Sequence, residues 1–301
     1  MTTWDQGDDS PGRLRGWLLR VALEIGLLGA LWVAYDAGRM LGLGRETEAR
    51  AHAHLVRGVE QFLHLPSEAA IQGALHGLPR VYELANTWYV SMHFPVTVAF
   101  LLFGFGFRPR EQYVWARNLL IVQTFLALVI HVAFPLAPPR MFPGWGFLDT
   151  MERFGPNAYG GASGAVANQF AAMPSLHVGW ALLIAVVVVR TLRVRARWLI
   201  VLHPTVTVVV VVATANHYWV DAIAAAALLV LTILMVPLPD GPAPAVTLCG
   251  RVQAIWARKT SLPVGRVEPS AGSIVSPRAS SGRIPSTSAS SSPPRPRMPA
   301  D

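Results

Sequence analysis

The sequence predicts an all-α membrane protein, a bundle of six transmembrane helices, and two observations support this prediction. Of the 301 residues, 52% are hydrophobic and only 14% are charged, whereas soluble domains carry about 25% charged residues. Six stretches approach the roughly 20 apolar residues that a spanning helix needs. They cover residues 17–35, 84–107, 114–134, 176–189, 198–213 and 219–236. The first exceeds the roughly 7 to 15 residues of a signal-peptide core, so we expect it to be retained.

The distribution of basic residues predicts the orientation of these spans. If the N-terminus lies in the cytoplasm, the inner segments hold 18 of the 25 Arg and Lys residues and the outer segments hold seven. Basic residues in short loops favour the cytoplasmic side. We therefore expect a multi-pass plasma (inner) membrane protein in which the segments after the first, third and fifth spans are extracytoplasmic.

Three regions are predicted along the chain. A cytoplasmic segment, 1–15, precedes a membrane domain that covers 16–237. From 238 to 301 the sequence is rich in Pro, Ser and Arg, which predicts a disordered basic cytoplasmic tail. Within the first outer segment, 45–79 shows apolar residues at helical spacing, and Ser67 lies at the predicted start of a second short helix. We expect this interfacial helical region to lie on the outer leaflet surface.

Composition also excludes some classes of site and partner. Cys249 is the only cysteine and lies beyond the last span, which excludes an internal disulfide and a thiolate metal site. All but one of the basic residues are arginines, spread over loops and the tail without interleaved aromatic residues. This pattern favours contact with anionic lipid headgroups and predicts no nucleic-acid partner. It does not predict an oligomeric state.

Two motifs place histidines at the outer ends of predicted spans, where a membrane helix meets water. AMPSLHVGW contains Ser175 and His177, and ANHYWVD contains His217 and Asp221. Because residues four apart meet on one helix face, we expect Asp221 to hold one ring nitrogen of His217 while the other attacks phosphorus. We expect His177 to protonate the leaving oxygen. Ser175 and the free amides of the fourth span would bind the phosphate.

These motifs resemble the second and third signature motifs of the type 2 phosphatidic acid phosphatase superfamily. The likeness is closer to its inositol phosphorylceramide synthase (inositolphosphotransferase) branch, which includes bacterial members. It extends over most of residues 45–227, including VSMHFPVT (90–97) and FPLAPPRM (134–141). The resemblance implies a six-helix membrane core and metal-independent phosphoryl transfer through a phosphohistidine, without a cofactor.

The resemblance also implies roles for individual residues. His217 matches the nucleophile of the third motif, Asp221 its orienting acid, and His177 the general acid of the second motif. Arg140 stands near the phosphate-binding arginine of the first motif, although the order here is Pro-Arg rather than Arg-Pro. The usual upstream lysine is not evident, and valines replace the Ser-Arg pair that precedes the third-motif histidine. Fewer cations would then clamp the phosphate.

Other polar residues are candidates for smaller roles. Asn216, Tyr218, His93 and Asp149 are possible headgroup-binding residues near the expected site, and the alternative for each is a local structural role in a cap, a turn or a carbonyl contact. His131 lies within an apolar span, where ionisable groups are costly, and we expect it to be mainly structural.

The sequence thus predicts an enzyme that takes a phosphoryl or phosphoalcohol group from a phospholipid or prenyl phosphate onto His217 and passes it to water or to an alcohol such as inositol. Two other classes stay open. A metal-dependent membrane hydrolase would use His177, His217 and Asp221 as ligands. A non-catalytic lipid transporter or binding protein would need discontinuous helices or repeats, and no strong internal repeat is present.

Overall fold

A computed structural model describes residues 11–40, 44–157 and 169–237 and confirms the all-α class within these ranges. The α-helices, in chain order, are α1 (Pro11–Met40), α2 (Glu46–Phe62), α3 (Glu68–Ala74), α4 (Pro79–Ser91), α5 (His93–Phe107), α6 (Arg110–Ala133), α7 (Thr150–Phe154), α8 (Leu176–Thr191), α9 (Leu202–Ala213) and α10 (Trp219–Met235). Short 3-10 helices cover Pro139–Met141, Pro143–Trp145 and Arg195–Val201. The predicted disordered tail, 238–301, lies outside the described residues.

The six predicted spans are all helical, but they differ in their capacity to cross a membrane. Among the described residues, α6 and the combined helix Arg195–Ala213 are long and apolar enough, and α4 with α5 would make a third span if this pair, bent by 42°, is one unit. The helices α8 and α10 are apolar but have only 16 and 17 residues. The described part of the chain therefore shows two or three spans where the sequence predicted six.

The break between α4 and α5 has a local cause in the sequence. The predicted span 84–107 counted apolar residues without regard to Pro95, which lacks the N–H that would bond to the carbonyl of Ser91. The first helix accordingly ends at Ser91, and Met92 separates it from α5. The bend brings His93 to the start of α5, beside the outer loops.

Helix α8 forms the centre of the bundle, since it packs against α5, α6, α9 and α10. Leu119 and Leu183 are fully buried in its contact with α6, and the indole N–H of Trp180 donates to the Thr124 hydroxyl at 3.0 Å. At Gly179 an added Cβ would lie 2.7 Å from the side-chain nitrogen of a buried glutamine on α6. The small residue therefore permits the close approach of the two helices.

The outer faces of the long helices are apolar. Large side chains such as Leu84, Leu102, Leu202 and Leu234 each expose more than 60% of their surface. A helix that is apolar on every side suits a lipid environment and not water. The exterior of the bundle thus supports membrane association.

The helices α2 and α3 cover the outer loops of the bundle. One face of α2 buries Ala49, Ala53, Val56 and Glu60, and the Ala49 carbonyl accepts from the backbone N–H of residue 137 at 3.1 Å. The predicted second short helix is confirmed: Ser67 caps α3 and accepts from an amide three residues on, at 3.3 Å.

Helix α1 is joined to α6 by a buried ion pair. Arg117 Nη1 donates to Glu24 Oε1 at 2.6 Å, and the Tyr113 hydroxyl donates to Glu24 Oε2 at 3.1 Å. Glu24 is only 7% exposed. Removal of either member of this pair would leave the other charge buried without compensation.

We expect Glu24→Ala to lower the free energy of unfolding by about 3 kcal/mol, because it leaves Arg117 without its carboxylate. The measurement is denaturant unfolding of the detergent-solubilised protein. Glu111→Ala, which removes an exposed carboxylate from the first turn of α6, is the matched control and should change the free energy by less than about 0.5 kcal/mol. Equal effects of the two substitutions would contradict the importance of the pair.

Candidate active site

The two histidine motifs meet through their backbones at the N-terminal ends of α8 and α10. The Ser175 N–H donates to the Asp221 backbone carbonyl at 3.2 Å. The Ser175 hydroxyl caps α8 and accepts from the Val178 N–H at 3.4 Å, so the predicted helix start is confirmed. Ser175 is fully buried, and its hydroxyl oxygen is occupied by the bond to the first turn of α8.

The turn that carries His217 is shaped by an alanine in the left-handed backbone region. Ala215 has φ = 54°, and its N–H donates to Val212 while the Asn216 N–H donates to the Val211 carbonyl. These two bonds form a Schellman-type helix end, in which a left-handed residue reverses the chain. The Ala215 carbonyl accepts from the Arg140 N–H at 2.8 Å. The turn after α9 is thereby joined to the loop after α6.

His217 is held by two acceptors on one edge of its ring. Its Nδ1 lies 2.8 Å from the Ala172 carbonyl oxygen and 3.2 Å from Asp221 Oδ2. Both partners can only accept, so Nδ1 carries the proton and Nε2 carries the lone pair. Asp221 Oδ2 also accepts from the Tyr218 N–H at 2.9 Å. The carboxylate and the carbonyl therefore fix the tautomer that a nucleophilic imidazole needs.

The expectation that His217 faces water is wrong. The residue is only 4% exposed, and Asp221 is fully buried, because α2 and the loops that follow α6 cover the turn. His217 Nε2 is buried and has no hydrogen-bond partner within the described ranges. Burial lowers the pKa of His217 to about 4, and the nearby charge of Arg140 acts in the same direction. The ring is accordingly neutral at physiological pH.

His177 lies next to this ring, in the first turn of α8. Its ring centroid is 6.1 Å from that of His217 and 4.0 Å from that of Tyr89, on which it stacks. The backbone of Tyr89 also lies close to the His177 ring. The ring centroid of His93 lies 4.3 Å from that of His177, and the His93 ring stacks on Trp180.

A small cavity of about 10 Å³ adjoins His177 between α4, α5, α8 and α9. Its wall combines aromatic and aliphatic side chains with three histidines and two hydroxyl groups. The lining residues besides His177 include Trp88, Met92, His93, His203, Thr207 and Val211. A volume of this size is about that needed for one water molecule, so the cavity does not hold a lipid group as it stands.

Arg140 is a buried cation on the first 3-10 helix, and it is 4% exposed. Its Nε donates to Asn216 Oδ1 at 3.2 Å, and its Nη2 donates to Gln169 Oε1 at 3.1 Å. Asp149 Oδ2 lies 3.9 Å from Nε. Since Asn216 immediately precedes His217 in the chain, this contact joins the Arg140 guanidinium to the turn that carries His217.

The candidate headgroup-binding residues fall into different environments. Asn216 contacts Arg140 and donates to the Thr214 hydroxyl at 2.8 Å. Asp149 caps α7 through Oδ1, which accepts from two amides at 3.0 and 3.1 Å. The Tyr218 hydroxyl donates to the Ala137 carbonyl at 3.2 Å in a buried cluster beneath α2. Among these candidates, only His93 lies beside His177.

Of the residues that support the site, the sequence singled out only His131. Gln169 holds Arg140, and the Ala172 carbonyl holds His217. His131 Nε2 donates to the Pro174 carbonyl at 3.0 Å and so fixes the segment before α8, in line with its predicted structural role. Glu60 accepts from the Val220 N–H at 3.1 Å. All four act across long sequence separations that no local pattern reveals.

The arrangement of possible metal-ligating side chains bears on the alternative that the protein is a metal-dependent hydrolase. Within the described ranges, no group of three or more His, Cys, Asp or Glu side chains is arranged to hold a metal ion. The predicted ligand set of His177, His217 and Asp221 does not form such a group, since the carboxylate engages Nδ1 of His217 directly.

Comparison with known proteins identifies the family. No curated protein and no solved structure gives a significant match. The family model of the PAP2 superfamily matches residues 54–235, a region that holds both histidine motifs, Arg140 and the helices α4 to α10. The match covers more than half of the chain, and the chain therefore belongs to the PAP2 superfamily.

Proposed function

We propose that this protein is a membrane lipid phosphatase or phosphotransferase that works through a phosphohistidine on His217. Superfamily membership supports activity on phosphorylated lipids in general. The observation that carries the proposal is the fixed tautomer of His217: Nδ1 is bound to two acceptors, and Nε2 is left unprotonated in a buried position. A neutral imidazole in this state is a competent nucleophile.

The reaction would proceed in two half-reactions. First, His217 Nε2 attacks phosphorus and forms a P–N bond while the P–O bond to the leaving group breaks. His177, in its protonated form, transfers a proton to the leaving alkoxide. In the second half-reaction, water or an alcohol gives its proton to His177 and forms a new P–O bond as the P–N bond breaks. Asp221 stabilises the imidazolium that develops on His217.

Arg140 is the proposed phosphate-binding cation. Its buried guanidinium lies on the same turn assembly as His217, and buried cations stabilise charge on equatorial phosphoryl oxygens better than exposed ones. The aromatic and aliphatic side chains beside His177 would contact the lipid part of the leaving group. The motif likeness to inositol phosphorylceramide synthases favours inositol as an acceptor or headgroup, and water is the acceptor in a phosphatase.

The proposal includes six spans and an extracytoplasmic site. Helices α1, α4 with α5, α6, α8, Arg195–Ala213 and α10 would each cross the bilayer, the shorter ones in a locally thinned membrane. The basic residues of the short loops then put α2, α3 and both histidine motifs outside the plasma membrane. Phospholipids or prenyl phosphates of the outer leaflet would be the substrates.

Substitution of the nucleophile is the first test. We expect His217→Ala and His217→Asn to lower turnover of a labelled phospholipid or prenyl phosphate by at least about three orders of magnitude. The amide of His217→Asn can replace Nδ1 toward the Ala172 carbonyl, so this variant separates loss of the nucleophile from loss of folding. Transfer of label from the donor to the wild-type protein, absent in both variants, would complete the test.

The same assay distinguishes the other predicted classes. Turnover that survives chelation by EDTA would argue against a metal-dependent hydrolase. A protein that binds or moves lipid without becoming labelled would fit a transporter, and wild-type-like turnover in His217→Asn would overturn the phosphohistidine mechanism.

The role of His177 predicts a dependence on the leaving group. His177→Ala should lower turnover of an alkyl phosphate donor by about 10²-fold or more, while an activated aryl phosphate, whose leaving group needs no proton, should lose much less. The measurement is kcat for the two donors with wild type and variant. An equal loss for both donors would indicate that His177 binds phosphate instead.

Accessible cysteines test the orientation. Gly144 is exposed in the second 3-10 helix, with open space around its Cα, so Gly144→Cys should react with an impermeant maleimide in intact cells. The native Cys249 should react only after the membrane is opened, because the tail is predicted to be cytoplasmic. The reversed pattern would place the site on the cytoplasmic side.

A further inference from the structure

Three successive backbone amides at the start of α10 are each bound by a carboxylate. The Tyr218 N–H donates to Asp221 at 2.9 Å, the Trp219 N–H to Glu68 Oε1 at 3.3 Å, and the Val220 N–H to Glu60 Oε1 at 3.1 Å. The first contact is local, but the other two carboxylates come from α3 and α2. Amides in the first turn of a helix have no partner within the helix and favour negative charge.

Both distant carboxylates are buried, with Glu60 6% and Glu68 7% exposed. Burial of a carboxylate costs free energy unless the group forms hydrogen bonds. Here the amides of Trp219 and Val220 supply such bonds to Glu68 and Glu60. The three bonded amides occupy the segment between His217 and Asp221. A shift of this segment would therefore move the nucleophile relative to its orienting acid.

We propose that Glu60 and Glu68 are positioning residues, supplied by the outer helices α2 and α3, that hold the His217–Asp221 turn in its reactive geometry. This inference rests on the proposed function of His217. It gives α2 and α3 a role in catalysis at a distance from the reacting atoms, because their carboxyl groups fix the backbone and do not contact the substrate.

The two carboxyl groups also contact each other, which predicts a pH dependence. A side-chain hydrogen bond joins Glu60 and Glu68, and burial, followed by the adjacent Glu68 charge, raises the pKa of Glu60 to about 8. Near neutral pH Glu60 therefore carries a proton that it donates to Glu68, while its other oxygen accepts from Val220. Above about pH 8 this proton is lost, and two like charges face each other.

The charged and titratable groups around the pair come from three elements. Besides Glu68 on α3, Glu60 is close to Asp221 and Tyr218 at the start of α10. Arg57 lies one turn earlier on α2 and stacks on Trp145, 4.3 Å from the ring centroid. Because the neighbours at α10 and α3 are acidic, loss of the Glu60 proton adds repulsion at the turn.

The test compares Glu60→Gln with Glu60→Leu. A glutamine keeps an acceptor for Val220 and a donor for Glu68, so Glu60→Gln should retain kcat within about threefold at pH 7 and lose the alkaline decline that wild type shows above about pH 8. Glu60→Leu removes both bonds and should lower kcat by about tenfold or more with little change in KM, since small misplacements of reacting groups are costly. Glu83→Gln, an exposed carboxylate on α4, is the matched control and should keep the wild-type profile.

Hydrogen exchange of the peptide that covers 217–222 provides a readout that does not require turnover. Glu60→Leu should accelerate exchange there, whereas Glu60→Gln and Glu83→Gln should not. An unchanged alkaline decline in Glu60→Gln, or wild-type exchange and kcat in Glu60→Leu, would overturn the inference while leaving the mechanism intact. If wild type turned over no phosphorylated lipid, the proposed function would fail, and the exchange data alone would decide the positioning role.

Discussion

The fully buried side chain of Asp221 depends on hydrogen bonds from its neighbours, and these reach only Oδ2, since Oδ1 has no partner within the described residues. It accepts from the Tyr218 amide and from Nδ1 of His217, and its own backbone carbonyl accepts from the Ser175 amide. One residue therefore joins the start of α10, the start of α8 and the ring of His217. The fixed orientation of the His217 ring depends on the side chain of Asp221, and the meeting of the two motifs depends on its backbone carbonyl.

Around this carboxylate, the site is assembled from backbone groups in the outer loops. The Leu136 amide donates to residue 170 at 2.7 Å, and this contact aligns the segment whose Ala172 carbonyl holds His217. The left-handed turn at Ala215 directs a carbonyl to the amide of Arg140. Because backbone groups have little freedom once the helices are packed, the loops can hold reactive side chains precisely. The packed apolar helices thus support the polar loops at the end of the bundle that holds His177 and His217.

The helix bundle and the loops at its end also differ in polarity. Leucines that face outward from the long helices suit hydrocarbon, while Arg140, His177 and His217 lie together at one end. The residues beside His177 are of mixed character, since aromatic and aliphatic side chains adjoin the histidines. A lipid phosphate also has an apolar and a polar part, and this similarity of polarity supports the proposed substrate class.

The sequence alone determined the all-α class, the start of α8 at Ser175 and the pairing of His217 with Asp221, because helix periodicity, caps and spacings of four residues are local properties of a chain. It also predicted that the two histidine motifs lie close together. It failed on the burial of His217 and on the bend at Met92, and it had no means to find Glu60, Glu68 or Gln169. Those features depend on which loops cover the site and which amides remain unbonded when α2 and α3 dock. Tertiary packing decides both, because contacts between residues about 150 positions apart are not encoded in any local pattern.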